Sequence, residues 1–166
     1  MRLRIGQLND LDLIYSIKCE ALKHYKEFGI SWTENYPTKD IFKEDIEKKE
    51  LFVLEGDNKE ILGIVVINRV EEKAYDDIPW AIEDDYVVLH RVLVNPAFSG
   101  KGYGKYLIEK VIEYAKEDDV KAIRLDTNTK NILGQKLYKS QGFSILGEIS
   151  LPSKGASFYC LEKILE

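Results

Sequence analysis

The sequence predicts a protein of the α/β class, in the broad sense that includes α+β folds, with a single domain over residues 1–166. Three observations support this prediction. Segments with strand-like and helix-like patterns of apolar residues alternate along the chain. Hydrophobic residues make up 45% and charged residues 32% of the sequence, which is typical of a globular protein and too apolar for a disordered one. A chain of 166 residues can bury one sizeable core but not two full ones.

The first half of the chain predicts a strand, two helices and a pair of strands. Asn9 or Asp10 is placed to cap the first helix and Gly29 to end it, while Thr38 is placed to cap the second. Glycine, aspartate and asparagine at 56–58 indicate a hairpin turn. The predicted strands cover residues 2–7, 51–55 and 61–68, and a loop covers residues 30–37.

The second half begins with a long β-branched strand, residues 86–94, which Asn95 and Pro96 end. A glycine-rich turn then opens a helix whose apolar residues recur at i, i+3, i+4, i+7, i+8 and i+11 from Gly104, the pattern of an amphipathic helix. Gly142 ends a further helix that covers residues 131–141. The remaining predicted strands cover residues 122–127, 143–149 and 158–164.

The composition also argues against several classes of protein. The chain has 24 Lys and Arg against 29 Asp and Glu, a net charge of −5, and a nucleic-acid binder needs clustered positive charge. No apolar run approaches the roughly 20 residues that cross a bilayer, and the start lacks the apolar stretch of a signal peptide. Cys19 and Cys160 lie outside any disulfide or zinc pattern. We therefore expect a cytoplasmic protein without nucleic-acid, membrane or metal partners.

Residues 71–85 concentrate the negative charge. They contain seven acids and one lysine, so this segment carries −6 and the remaining chain +1. Such a run is commonly a solvated loop. Tyr75 and Trp80 lie among the carboxylates, however, and aromatic rings beside carboxylates are suited to bind a cationic group. The sequence leaves both interpretations open, and in the second these aromatic residues form a wall that binds a cationic substrate.

The turn at Ser99–Lys105 predicts an anion site. It follows a strand and precedes a helix, so its glycines allow close approach of a ligand, and the first N–H groups of the helix favour negative charge. Lys101 and Lys105 add positive charge. The spacing fits neither a Walker loop, which needs GxxxxGK[ST], nor the GxGxxG dinucleotide fingerprint. The turn therefore favours a phosphate or diphosphate site, and the alternative is that its glycines only allow the helix to pack tightly after the strand.

Two motifs resemble those of the GNAT superfamily of N-acyltransferases. The run from Val92 to Ile108 is similar to the acetyl-CoA motif, an apolar strand followed by a Gln/Arg-x-x-Gly-x-Gly/Ala turn and a helix. The run from Asn131 to Phe143 resembles the second motif, N-x-x-A-x-x-L-Y-x-x-x-G-F. This chain departs from the pattern at Ser99, where the family usually has Gln or Arg, and at Gly134, where it usually has Ala.

The resemblance implies a mixed, twisted, mostly antiparallel sheet of about seven strands, flanked by about four helices. It implies that the strands ending at Val94 and Asp126 splay apart and that acetyl-CoA lies between them, without a metal. Dimers are frequent in the family, so a homodimer is one expectation. The residues expected to bind the cofactor are Val92, Leu93, Val94, Ser99, Gly100, Lys101, Gly102, Tyr103, Gly104, Lys105, Asn131 and Tyr138.

The implied activity is transfer of the acetyl group to a primary amine of a small molecule or peptide by direct attack. The resemblance places Tyr138 near the thioester sulfur, where a phenol is a suitable general acid. The amine must lose a proton, because an alkylammonium has a pKa of about 10. Asp126, Glu83 and His90 are candidate bases among which the sequence does not choose.

Three aromatic residues are expected to bind the acceptor amine, and the sequence leaves one alternative function open. The residues expected to bind the acceptor, which we expect to prefer extra positive charge, are Trp80, Trp32 and Tyr75. The alternative function is a non-catalytic module on the same fold that binds or senses acyl-CoA.

Overall fold

A computed structural model describes all residues 1–166. A seven-stranded sheet has the order β1-β2-β3-β4-β5-β7-β6, and four α-helices flank it, which confirms the predicted fold class. The strands are β1 (Arg2–Ile5), β2 (Leu51–Glu55), β3 (Ile61–Asn68), β4 (Tyr86–Val94), β5 (Ala122–Asn128), β6 (Ser144–Leu151) and β7 (Ala156–Ile164). The helices are α1 (Leu11–His24), α2 (Lys39–Glu47), α3 (Tyr103–Glu117) and α4 (Ile132–Ser140).

The sheet opens between β4 and β5. All neighbouring strands are antiparallel except this pair, which is parallel. Pairing between them covers only Tyr86–Val88 and Ala122–Arg124, although both strands continue well beyond these residues. The remaining lengths of β4 and β5 therefore diverge and leave a gap at the carboxyl end of both strands, as the family resemblance implies.

A β-bulge in β4 accompanies this divergence. Leu93 pairs with Ile64 and His90 pairs with Val66, so Arg91 and Val92 oppose the single residue between those partners and are paired in neither neighbouring strand. Arg91 has a positive φ of 50°, which is uncommon for a residue other than glycine. Such a bulge bends the strand that carries it and ends regular pairing.

The bulge is held by an ion pair with α2. The Arg91 guanidinium donates to both carboxylate oxygens of Asp45 at 2.8 Å and to the Tyr36 hydroxyl at 3.2 Å. The Arg91 and Asp45 side chains are only 15% and 8% exposed. A bidentate pair of this kind fixes geometry as well as charge, so α2 holds the bulge in place.

The structure confirms several local predictions and shifts some boundaries. The Thr38 side chain caps α2 by accepting from the Ile41 N–H, and Gly102, in the left-handed conformation, precedes α3. β1 ends at Ile5 and a 3-10 turn at Leu8–Asp10 follows it. Asp10 is the N-cap residue of α1, one of the two predicted, although its side chain makes no capping hydrogen bond there. The last two strands are longer than predicted, because their pairing continues to Leu151 and Ala156 around a short turn.

Three apolar clusters hold the elements on the sheet. One lies between the sheet and α3 with α4, and one lies between the opposite face and α1 with α2. The third contains Tyr75 and Ile78, which pack on β4, β6 and β7. Tyr75 is only 1% exposed, so the acidic segment is anchored in the core by its apolar residues and is not simply a solvated loop. None of the helices combines the length and apolar character that crossing a membrane requires.

Candidate functional site

The gap between β4 and β5 contains two cavities. The turn-side cavity, of about 440 Å³, lies against the glycine turn and the starts of α3 and α4. The inner cavity, of about 290 Å³, lies against β5, the loop after α1 and the turn before β7. Both are lined by Ile30, Val92, Asn131 and Tyr138. They therefore meet at the free length of β4, where a reacting group could be reached from both sides.

The turn-side cavity is shaped by glycine backbone. Gly100 and Gly102 have φ values of 74° and 83°, and a Cβ on either would meet no atom within 4 Å. The positive φ values therefore explain why glycine occupies these two positions, and the open space beside them leaves room for a ligand. The first N–H groups of α3 have no partner within the helix, and the helix dipole favours an anion there. The turn fits the diphosphate of a CoA-type cofactor.

Gly104 has a different physical role in the same turn. A Cβ there would lie 3.3 Å from a Leu137 methyl group and 3.4 Å from a Val94 methyl group. Its missing side chain allows α3 to approach α4 closely. A large substitution at Gly104 would disturb this packing as well as the cavity, so it does not isolate ligand binding.

The turn lysines do not line either cavity. The Lys101 ammonium lies 5.7 Å from the centre of the Phe98 ring, and the Lys105 ammonium lies 3.7 Å from a Glu109 carboxylate oxygen. Ser99 and Tyr103 do line the turn-side cavity. The ammonium groups of Lys101 and Lys105, which the sequence predicts to add positive charge to the anion site, contact these other partners, and binding of a ligand by their backbone N–H groups stays a prediction.

Asn131 organises the start of α4. Its Oδ1 accepts from the Gly134 N–H and its Nδ2 donates to Thr127 Oγ1, both at 3.0 Å. A Cβ at Gly134 would lie 2.4 Å from Asn131 Nδ2. The folded-back Asn131 side chain thus gives a physical reason for glycine where the family motif has alanine.

The end of β4 is held by α1. The Tyr25 hydroxyl donates to the Val94 carbonyl at 3.2 Å, and Tyr25 lines the turn-side cavity beside Leu93. No sequence motif marks Tyr25, which follows α1 directly and continues the spacing of an ordinary apolar helix face. The predicted use of Val94 by a ligand must therefore share its carbonyl with Tyr25.

Asp126 lies in the inner cavity and is the base candidate with the most direct support. One of its carboxylate oxygens accepts from the Tyr75 hydroxyl at 2.6 Å. Burial raises the pKa of Asp126 above its usual value, and the Tyr75 hydrogen bond opposes that rise. β5 extends to Asn128, so Asp126 lies within the strand and not at its end. Tyr75 does not line the inner cavity, and it lies in the wall of a separate recess.

His90 also lines the inner cavity but is electrostatically less suited to take a proton. Its Nε2 lies 2.8 Å from Asn68 Oδ1. Burial, and then the positive charge of Arg91, lowers the pKa of His90 to about 4. A base with so low a pKa has little affinity for a proton near neutral pH.

Tyr138 lies where the two cavities meet. It is 6% exposed, and its ring lies edge-on to Phe143 with 5.8 Å between centroids. Burial raises the pKa of Tyr138, and the nearby Asp126 carboxylate raises it further. The phenol therefore keeps its proton under ordinary conditions and can act as a donor.

The structure separates Trp80 and Glu83 from these cavities. They line a third recess, with Arg124 at its base. The Arg124 guanidinium carbon lies 3.6 Å from the centre of the Tyr86 ring and 4.4 Å from that of Trp80, and Arg124 pairs with Glu71 at 2.6 Å. The Trp80 indole therefore lies over this buried arginine and outside both cavities, and its use as an acceptor wall stays a prediction.

Trp32 lies in the wall of the inner cavity with several residues that no sequence motif marks, and its contact with an acceptor stays a prediction. Trp32 lines the inner cavity and contacts the edge of Phe42. Gly29 has a φ of 76°, and a Cβ there would lie 2.6 Å from the Lys130 backbone, so glycine brings the loop after α1 against the start of α4. Further residues that line the inner cavity, and that the sequence analysis missed, are Tyr36, Asn68, Glu72, Asn128, Lys154 and Phe158.

A metal site is a separate question. The structure contains no group of three or more His, Cys, Asp or Glu side chains that could hold a metal ion.

Comparison with known proteins places the same elements in one family. The model of the acetyltransferase (GNAT) family matches residues 19–143. N-acetylaspartate synthetase of Homo sapiens is 40% identical over 95 residues, which are 57% of this chain and 27% of that protein. The Danio rerio enzyme of the same name is 34% identical over 96 residues, 58% of this chain and 29% of the relative. The chain thus matches less than a third of the length of these relatives.

Solved structures share the whole fold. A GNAT-family acetyltransferase of Streptococcus agalactiae superposes with a TM-score of 0.86 at 23% identity, covering 99% of this chain and 95% of that one. The ribosomal-protein-S18-alanine N-acetyltransferase of Escherichia coli gives a TM-score of 0.71 at 16% identity, covering 99% and 93%. At these identities the likeness concerns the fold alone. The family match over most of the sequence shows that this chain belongs to the acetyltransferase (GNAT) family.

Proposed function

We propose that this protein transfers the acetyl group of acetyl-CoA to a primary amine of a small molecule or peptide by direct attack. The observation that carries the proposal is that two cavities of different character meet at Val92 and Tyr138. One suits an anionic, elongated cofactor and the other suits a compact amine. Their junction would bring the two reacting groups together, which is a large part of catalysis of a two-substrate reaction.

The chain's own residues fit the cofactor. Backbone N–H groups at the glycine turn and the first turn of α3 would bind the diphosphate. Residues Val92–Val94, unpaired with β5, would bind the pantetheine arm along the strand edge. When bound, acetyl-CoA supplies an acyl group that is already activated as a thioester. The Val92 N–H, at a bulge without a paired residue in either neighbouring strand, is the proposed donor to the acyl oxygen.

Asp126 is the proposed general base. Its raised pKa brings the carboxylate closer to neutral pH, where a base is most effective. His90 has a pKa shifted the other way, and Glu83 lies in the separate recess. The Tyr75 hydrogen bond leaves the second Asp126 oxygen available for an incoming ammonium group.

Tyr138 is the proposed general acid. Its position in the wall of both cavities suits proton donation to the departing sulfur. Its raised pKa keeps the proton on the phenol until negative charge develops beside it. In this arrangement both residues line the inner cavity, and the ionised Asp126 carboxylate itself favours the protonated form of Tyr138.

The inner cavity suggests the class of acceptor to test first. Trp32, Tyr36 and Phe158 offer apolar surface, while Asp126 and Lys154 offer charges of opposite sign. This combination suits a compact amine that also carries a carboxyl or carbonyl group. Relatives of the chain are named for N-acetylaspartate synthesis and for an alanine of ribosomal protein bS18. We therefore place α-amino groups of amino acids and peptides ahead of polyamines.

The proposal is tested by thiol release from acetyl-CoA with a panel of amines. The panel contains amino acids, their amides, short peptides, polyamines and aminoglycosides, and calorimetry with acetyl-CoA is run in parallel. Amine-dependent thiol release together with an acetylated product supports the proposal. Binding of acetyl-CoA without release for any amine contradicts it and favours the non-catalytic acyl-CoA-binding module.

A further inference from the structure

The turn-side cavity contains a contact that the family motifs do not include. His24, the last residue of α1, places its Nε2 3.1 Å from Ser99 Oγ. Both residues line the cavity together with Gly100 and Gly102. The His24 ring is held edge-on against Tyr25, with 4.7 Å between centroids. An ordered imidazole from a distant helix thus contacts the first residue of the glycine turn.

His24 is electrostatically distinctive in this cavity. No Asp, Glu, Lys or Arg lines the turn-side cavity, so His24 is the one side chain in its wall that can become positively charged. It also lies at the carboxyl end of α1, where the helix dipole favours a cation. A diphosphate in the cavity would reinforce that preference, because it would place negative charge beside the ring.

We propose that His24 and Ser99 form a composite phosphate-binding pair for the CoA diphosphate. Protonated His24 donates its Nε2–H to Ser99 Oγ, since both ring nitrogens of an imidazolium are donors. The Ser99 hydroxyl is then free to donate its own proton to a phosphate oxygen. The imidazolium supplies the charge and the serine supplies the short contact. This inference rests on the proposed function, because it requires a CoA-type cofactor at the turn.

The pair makes cofactor affinity depend on pH. The pair needs the imidazolium form, because only that form donates from both ring nitrogens, so affinity should be higher at lower pH. The other ionisable side chains that line this cavity are Tyr25, Tyr103 and Tyr138. Lys23 precedes His24 in α1 and pairs with Glu20 at 3.5 Å, and Lys101 of the turn lies against Phe98.

Calorimetry with dephospho-CoA measures the affinity due to the diphosphate without a contribution from the 3′-phosphate. This ligand lacks the 3′-phosphate, a monoester that itself titrates near pH 6, so any remaining pH dependence belongs to the protein. Affinity is measured at about pH 6 and pH 8, on either side of the histidine transition. The proteins are wild type, His24→Ala, Ser99→Ala and the double variant. Lys23→Ala is the matched control, because it removes a neighbouring cation outside the cavity.

The expected result is an affinity loss of about 10-fold for His24→Ala at pH 6, the size of one hydrogen bond to a charged group. The loss should shrink at pH 8, while Lys23→Ala should bind like wild type. The double variant should bind no more weakly than Ser99→Ala, because His24 acts through Ser99. Thermal midpoints without ligand establish that each variant is folded.

Three outcomes would contradict the proposal that His24 and Ser99 bind the diphosphate together. They are wild-type affinity of His24→Ala at pH 6, additive losses in the double variant, and a loss seen with CoA but not with dephospho-CoA. The last would assign His24 to the 3′-phosphate. If wild type binds neither CoA nor dephospho-CoA, the proposed function itself fails. If wild type binds and acetylates while His24→Ala is unchanged, only the pair fails.

Discussion

The two cavities that meet at Val92 and Tyr138 differ in what lines them. The turn-side cavity has no Asp, Glu, Lys or Arg in its wall, which consists mainly of hydrophobic residues together with glycines of the turn. The inner cavity gathers ionisable groups such as Asp126, His90 and Lys154 from separate elements. Binding by backbone groups survives most side-chain changes, whereas proton transfer depends on individual side chains. We therefore expect substitutions in the inner cavity to lower rate and those at the turn to lower affinity.

The largest effect should come from Asp126→Asn. Loss of a positioned general base is expected to lower kcat by about 10²–10⁴-fold, with calorimetric affinity for acetyl-CoA unchanged. Wild-type activity should rise with pH through the raised pKa of Asp126, because only the ionised carboxylate accepts a proton. His90→Gln is the matched control and should stay within a few-fold of wild type. A larger loss of kcat in His90→Gln than in Asp126→Asn would identify His90 as the general base.

Tyr138→Phe should have the next largest effect. The ring contact with Phe143 survives, while the proton donor is lost. Coenzyme A thiolate is a fairly good leaving group, so we expect the low end of the general-acid range, about 10²-fold in kcat. The KM for acetyl-CoA should not change. A variant within twofold of wild type, when chemistry limits turnover, would make Tyr138 a packing residue.

Gly102→Ala tests the turn-side cavity through its backbone. At a φ of 83° an alanine is strained, and the expected loss of unfolding free energy is about 1 kcal/mol. A shift of the turn should also weaken acetyl-CoA binding while leaving kcat at saturation nearly unchanged. Gly155→Ala is the matched control, because Gly155 also has positive φ and open space around it. Equal loss of cofactor affinity in both variants would show that the turn does not bind the diphosphate.

Tyr75→Phe should move a pH profile and little else. The Tyr75 hydroxyl lowers the pKa of Asp126 by hydrogen bonding, so its removal should raise that pKa further. The acidic limb of kcat/KM should then shift to higher pH, while activity well above the limb is retained. An unchanged limb would show that Asp126 does not set it.

The smallest effect is expected for Trp80→Phe. The indole donates to the Tyr75 carbonyl at 2.9 Å and lies over Arg124, outside the inner cavity. The acceptor KM should therefore stay within about twofold of wild type, the range of an ordinary surface substitution, for both neutral and cationic amines. A selective rise in KM for cationic amines would return the acidic segment to the acceptor site.

Features encoded by neighbouring residues could be predicted from the sequence. The order of elements, the Thr38 cap and the glycine turn each depend on short-range chemistry, and the family motifs added the divergence of β4 and β5. The structure confirms the sheet and its helices. Strand ends were less accurate, because pairing of β6 with β7 is decided by a partner strand and not by local composition.

Features built from distant residues could not be predicted. The charge run at 71–85 indicates a solvent-exposed segment. The Trp80 ring within it is nevertheless covered by the guanidinium of Arg124, which lies far along the chain. His24 and Tyr25 have the spacing of an unremarkable helix end, and only the fold brings them to Ser99 and Val94. Catalytic expectations for Asp126, His90 and Tyr138 remain predictions that the experiments above decide.

The free length of β4 is anchored from two points along the chain. Tyr25 holds its end at Val94, and Asp45 holds its bulge at Arg91. The loop that carries Trp32 and Tyr36 into the inner cavity lies between these two anchors in sequence. Residues 30–35 could therefore be replaced by a loop that fits another acceptor, while the strand that receives the cofactor stays fixed. This arrangement would let substrate choice diverge in a lineage without rebuilding the machinery that it serves.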